Sequence, residues 1–212
     1  MSEPPGVNLW STAEHALDYL RRADSMPHRA EADAALAEWV PATVRRVLDL
    51  GAGAGRLIDL LRPSRADAQF VALDFSPLML DVLHERFAKD PRVTIVAHDF
   101  DRPLPSMGRF DAVVSSFAIH HLVHERKRAL YAEIFGLLEP GGIFCNLEHV
   151  ASPNPRVHDQ FLAAIGWPDE DPSNKLLDLE TQLRWLREIG FQDVDCHWKW
   201  RELTLFAGVK PS

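Results

Sequence analysis

Val47-Leu48-Asp49-Leu50-Gly51-Ala52-Gly53-Ala54-Gly55-Arg56-Leu57 carries three structural signals in eleven residues. Apolar residues run into the first glycine, which predicts a buried strand. Three glycines alternating with alanines predict a tight loop, since glycine turns sharply and leaves no Cβ in a ligand's path. A helical pattern follows, and a helix N-terminus presents unpaired N–H groups. The combination implies a nucleotide-like ligand.

Spacing narrows the choice of nucleotide. The dinucleotide fingerprint is G-x-G-x-x-G, whose third glycine lets helix and strand pack closely. Here that third position is Arg56. The glycines read G-x-G-x-G instead, with Asp49 two residues before the first. An acid there sits poorly beside a pyrophosphate and suits a cationic head such as an amino-acid ammonium. S-adenosylmethionine (SAM) carries an ammonium, a sulfonium and an adenosine. A nicotinamide-dependent oxidoreductase is disfavoured by the same two residues.

Further motifs follow in order. Phe70-Val71-Ala72-Leu73-Asp74-Phe75-Ser76-Pro77 reads as a strand ending in an acid. Asp74 lies 23 residues past Gly51, near the distance for a carboxylate on ribose hydroxyls. Val93-Thr94-Ile95-Val96-Ala97-His98-Asp99-Phe100 ends in a second acid. Phe110-Asp111-Ala112-Val113-Val114-Ser115-Ser116-Phe117-Ala118-Ile119-His120-His121-Leu122 reads as a strand and the loop after it, and Leu137-Leu138-Glu139-Pro140-Gly141-Gly142-Ile143-Phe144 as a turn into a strand. From about Val47 to its end, the chain resembles the class I SAM-dependent methyltransferases. The resemblance implies an α/β fold: a Rossmann-like, doubly wound, seven-stranded sheet in the order 3-2-1-4-5-7-6 with its last strand antiparallel. It implies SAM as cofactor, held by Asp49, Gly51, Gly53, Gly55 and Asp74. Asp99 takes the family position facing the adenine amino group, with Phe100 beside it. Ser116 and Phe117 take the position near the methionine end. Phe75 and Met79 follow Asp74 and are read either as cover for the adenine ring or as core.

The bulk composition bounds the answer. A chain of 212 residues with 46% hydrophobic content is one domain, or one domain with a cap. No apolar stretch is long enough for a membrane span, and Met1 to Gly6 has no secretory-signal pattern, so the expectation is a cytoplasmic protein. Cys145 and Cys196 fall in predicted strands and read as reduced core thiols. The 23 basic against 31 acidic residues give a net charge of −8. No basic stripe of the nucleic-acid-binding kind is evident, so a small-molecule acceptor is expected rather than a nucleic acid. The chain is expected to be a monomer or homodimer.

Along the chain, residues 1–44 read as a tail and a helical cap of two segments separated by Pro27, and 45–212 as the SAM-binding domain. Strands are predicted near 46–50, 69–74, 93–97, 110–116 and 142–149, with helices near 55–62, 76–88 and 124–138. Ser76-Pro77 reads as an N-cap followed by proline at the first helical position. Residues 151–177, with Pro153, Pro155, Pro168 and Pro172, read as a lid-like insertion at the ligand edge of the sheet. A helix near 178–189 ends at Gly190, and two strands with a tight link close the chain.

The acceptor half is less specific. His120 and His121 follow the fourth strand and are the candidate general bases, since a neutral imidazole titrates near working pH. Both also read as packing or helix-capping residues. Glu148 and His149 end the fifth strand and are candidate acceptor contacts, as are Trp10 and Tyr19 of the cap. His120, His121, Glu148 and His149 are ligand types, but no metal-ligand spacing accompanies them, and no metal is expected. The leading reading is a methyltransferase acting on an O, N or S atom of a small molecule. An RNA or protein methyltransferase and a non-catalytic SAM-binding module remain open. After the fourth strand the chain has Ser115-Ser116-Phe117-Ala118, not the Asn/Asp-Pro-Pro-aromatic motif of amino-group methylases.

Overall fold

The computed structural model describes residues 26–167 and 169–212. Trp10, Tyr19 and the first cap segment lie outside the described residues. The elements are α1 (Arg29–Trp39), β1 (Arg46–Leu50), α2 (Arg56–Leu61), β2 (Gln69–Asp74), α3 (Pro77–Phe87), β3 (Val93–Ala97), β4 (Phe110–Ser116), α4 (His124–Leu137), β5 (Leu138–His149), α5 (Pro155–Ile165), α6 (Leu179–Ile189), β6 (Gln192–Trp200) and β7 (Leu203–Val209). Short 3₁₀ turns occupy Arg62–Ser64 and Ile119–His121.

One seven-stranded sheet runs in the order β3-β2-β1-β4-β5-β7-β6. The first five strands pair in parallel, and β7 runs antiparallel to both β5 and β6. This is the architecture expected from the sequence. The apolar strand runs are buried on both faces, as parallel sheets require. Val47, Ala72, Val114 and Leu205 pack on one face with α1, α2, α3 and α5. Leu48, Leu73, Val113 and Phe206 pack on the other with α4 and α6.

Local chemistry sets the element ends. Asp178 accepts a hydrogen bond from Thr181 N–H at the start of α6, and Gly190 closes that helix in the left-handed region. Asn154 caps α5 in the same way. Ser76 stands at the N-cap of α3 but makes no side-chain cap bond. Its N–H instead donates to Asp74 Oδ1 at 2.9 Å, so the residue serves the preceding strand. The Pro-Gly-Gly turn lies within β5 as an irregularity, where pairing moves from Phe110↔Leu138 to Ala112↔Ile143.

The second cap segment is α1. Arg29, Ala32, Asp33 and Leu36 face inward, while Trp39 is 39% exposed. As the last residue of the helix it turns outward, with its ring centroid 3.5 Å from that of His197 on β6. Cys145 is fully buried and Cys196 partly so, and both are free thiols. Among the described residues, no helix is long and apolar enough to cross a membrane.

Candidate active site

The carboxyl ends of β1, β2, β4 and β5 converge on the glycine loop. Four N–H groups of that loop are spent within the protein. Gly51 and Ala52 donate to Leu73 O, Gly55 to Ala52 O, and Gly53 to Asp74 Oδ2 at 2.8 Å. A pyrophosphate needs such groups free, so this loop does not make a dinucleotide cradle. The glycines divide by role. A Cβ on Gly51 would lie 2.3 Å from Ala118 Cβ, and one on Gly55 would lie 2.4 Å from Phe87. These two are glycines because neighbouring side chains occupy the space. A Cβ on Gly53 would meet nothing within 4 Å, so Gly53 borders open volume.

Asp49 lies in β1 at 2% exposure. Burial, with the neighbouring Asp74 charge second, pushes its carboxyl up to about 8. Its Oδ2 is buried without a hydrogen-bond partner, an arrangement that costs energy until a donor or cation arrives. A second orphan of opposite sign faces the same side of the sheet. Arg29 on α1 is 5% exposed. Its Nε donates to Asp33 Oδ1 and its Nη2 to Ser116 Oγ, each at 3.0 Å, while Nη1 is buried without a partner. The guanidinium also lies over the Phe117 ring, 4.9 Å from its centroid. Asp33 clamps Arg56, the first residue of α2, at 2.8 and 2.7 Å, which ties α1 to the glycine-loop helix. An unpaired carboxylate oxygen and an unpaired guanidinium nitrogen fit the ammonium and carboxylate of an α-amino acid end.

The other expected cofactor residues sort by burial. Asp74 binds Gly53 N–H and Ser76 N–H, and burial raises its pKa against those two bonds. Phe75 stays half-buried at the rim. Met79 lies on the inward stripe of α3 with Leu83 and Phe87, four residues apart. Its burial at 1% exposure matches the core alternative of the two readings given to it. Phe100 is buried against the loop side of the second core and supports the loop. Asp99 uses Oδ1 to close a local turn with Asp101 N–H.

On the acceptor side, His120 Nδ1 lies 2.6 Å from Glu148 Oε1, with side chains 8% and 1% exposed. Glu148 also accepts from His149 N–H at 3.0 Å and from Asn146 Nδ2 at 3.2 Å. Both carboxyl oxygens of Glu148 are thus engaged inside the protein. Burial raises its carboxyl to about 7, and the Lys127 ammonium opposes the rise. Burial and the neighbouring His149 and Lys127 hold His120 well below the ordinary imidazole value, so it rests neutral and is a weaker base than a free imidazole. His121 stacks 4.0 Å from His120, centroid to centroid, and its Nδ1 lies 3.0 Å from Ser173 Oγ. His149, the other expected acceptor contact, turns instead to Glu202, with Nε2 and Oε2 2.8 Å apart.

Glu202 carries no sequence signal, sitting in the link between β6 and β7. It is 2% exposed and gathers His149, Ser152 and His158. His158 in turn pairs with Glu170 at 2.8 Å. Residues 151–177 thereby touch both sides of the sheet at its carboxyl edge. Phe161 packs with the α1 side, and Lys175 N–H donates to His120 O at 2.8 Å on the α4 side. Among the described residues no group of three His, Cys, Asp or Glu is arranged to hold a metal ion.

Residues 47–142 match a family model described as a methyltransferase domain. A demethylmenaquinone methyltransferase of Clavibacter sepedonicus is 33% identical over 204 residues, covering 81% of this chain and 76% of the relative. The chain belongs to the class I SAM-dependent methyltransferases. The fold of this methyltransferase is shared by an O-methyltransferase family protein from Burkholderia thailandensis (TM-score 0.75, 18% identity, 96% of this chain and 62% of that one). It is shared also by the N-methyltransferase NodS from Bradyrhizobium japonicum, solved with S-adenosylhomocysteine (TM-score 0.72, 18% identity, 97% of this chain and all of that one).

Proposed function

We propose that this methyltransferase acts on a hydroxyl-bearing small molecule, with His120 as general base and Glu148 as the residue that orients it. The carrying observation is the buried His120–Glu148 pair at 2.6 Å, at the ligand edge beside Ser116 and Phe117. An amine or thiol is nucleophilic enough to need no base, whereas a hydroxyl gains from losing its proton as it attacks. The small-molecule part rests on the acidic chain and on the Clavibacter relative, which is named for a quinone-type compound.

When bound, SAM supplies a methyl group on a sulfonium, a leaving group that needs no acid. The residues' own work is positioning, charge and proton transfer. Asp49 holds the ammonium end and Arg29 the carboxylate end, each relieving a buried orphan. Asp74 holds ribose hydroxyls at the Gly53 opening, with Phe75 at the rim. An ionised Glu148 accepts the Nδ1 proton of His120, leaving Nε2 as the acceptor for the hydroxyl proton. The imidazolium so formed lies against the Glu148 carboxylate until it returns the proton to solvent.

The test is S-adenosylhomocysteine release from SAM with matched small aromatic acceptors bearing hydroxyl, amine or thiol groups, and with RNA and unfolded protein alongside. Turnover confined to hydroxyl acceptors is expected. Turnover on amines alone, or on RNA or protein alone, overturns the reading.

A further inference from the structure

Lys127 is a charged side chain with no exit to solvent. It lies on α4 at 1% exposure, and its Nζ donates to two backbone carbonyls. One is His120 O at 3.2 Å and the other is Lys175 O in the insertion. Buried ammonium groups are costly, and two neutral carbonyls do not neutralise a charge. The titratable and charged groups coupled to it are His120 from the 3₁₀ turn, Glu148 from β5 and Lys175; His121, His149, Asp171 and Tyr131 act in turn on His120 or Glu148. No ion pair with Glu148 is made at contact distance, so the two act on one another through the low-dielectric interior.

We propose that Lys127 is a positioning residue for the His120–Glu148 pair: its buried ammonium fastens the His120 backbone to the insertion and keeps Glu148 an anion and His120 neutral. A cation at this place acts on both partners of the resting pair, at some cost to the basicity of His120. It favours the carboxylate form of Glu148 and disfavours the imidazolium form of His120. An anionic Glu148 fixes the His120 proton on Nδ1 and leaves Nε2 open. A protonated Glu148 would donate to Nδ1 and put the ring proton on Nε2, where it blocks proton uptake. The same opposition appears on Lys127 itself, which burial lowers to about 8 while Glu148 raises it. This inference rests on the dyad reading above, but its test does not depend on turnover.

The experiment is a pH titration of the imidazole nitrogens in ¹⁵N-histidine-labelled protein, with His120 assigned by its loss in His120→Ala. The wild type is expected to hold the Nδ1–H tautomer at pH 8 and to change tautomer as the pH falls and Glu148 takes a proton. In Lys127→Met that change moves up by about one pH unit or more. A folded Lys127→Met with an unmoved midpoint overturns the inference, because a purely mechanical tie would leave the tautomer equilibrium where it is. Coupling is reciprocal, so Glu148→Gln provides the second arm should Lys127→Met not fold. There the Lys127 Nζ midpoint falls by about one unit, and an unchanged midpoint overturns the proposal. A shifted tautomer with turnover surviving in His120→Ala would remove the base reading and leave the Lys127 coupling standing.

Discussion

The substitution Asp49→Asn separates the stability of this fold from its function. Asp49 is sealed in β1 and its carboxyl titrates at about 8 in the folded protein, against 3.8 for the ordinary group. A raised carboxyl keeps its proton in the folded state between those two values while the unfolded chain has lost it. The contribution of Asp49 to stability is therefore best at acid pH. It falls as the pH rises from about 4 to about 8 and is level above that. At about 1.4 kcal/mol per unit, the fall between pH 5 and pH 9 is on the order of 4 kcal/mol. The asparagine amide does not ionise, and the fixed cost of burying it cancels when one compares the two pH values. Urea unfolding of both proteins at pH 5 and pH 9 should thus show the variant gaining on the wild type at high pH by a few kcal/mol. The same substitution removes the proposed partner of the SAM ammonium, so affinity by calorimetry should drop about ten- to a hundredfold. Wild-type protein at pH 7 should also release a proton on binding, seen as a dependence of the heat on buffer. Parallel stability profiles for the two proteins, or an unchanged SAM affinity, would refute the reasoning.

Gly53→Ala should weaken SAM binding with little loss of stability beyond the strain of its positive φ, because its Cβ points into open volume. Gly51→Ala and Gly55→Ala should instead lower the melting temperature, since their Cβ atoms collide with Ala118 and Phe87. Asp74→Ala should raise the SAM dissociation constant about ten- to a hundredfold, and calorimetry would read it directly. Glu202→Ala should release the insertion from His149, Ser152 and His158, visible as faster amide hydrogen exchange across 151–177 with the sheet unchanged. Unaltered exchange there would show that the Glu202 cluster does not hold the insertion.

The parallel sheet was legible because its strands are short apolar runs that end in Asp49, Asp74 and Asp99 or in glycine. The β6–β7 hairpin and the α6 boundaries at Asp178 and Gly190 were legible for equally local reasons. The site was half legible. Asp49, Asp74 and Gly53 announce themselves by type and spacing. Gly51 and Gly55 look identical to Gly53 in sequence and differ only in which distant side chain stands over them. Arg29 and Asp33 resemble a solvated helix pair, and only the inward turn of α1, set by Ala32 and Leu36, buries them. Glu202 sits between two strands where an exposed turn residue belongs, and Lys127 lies in the charged run Glu125-Arg126-Lys127-Arg128. Its neighbours there are exposed or partly buried. Helical phase selects Lys127 for the interior, and the only sequence hint is its place four residues before buried Tyr131.

In the proposed reaction His120, set by Glu148, takes the proton of the acceptor. Comparing wild type with His120→Ala tests it most directly, using the best acceptor of the panel and measuring kcat beside the SAM dissociation constant. A fall in kcat of about 10²–10⁴-fold with SAM affinity unchanged is expected. Full turnover by the alanine variant would contradict it.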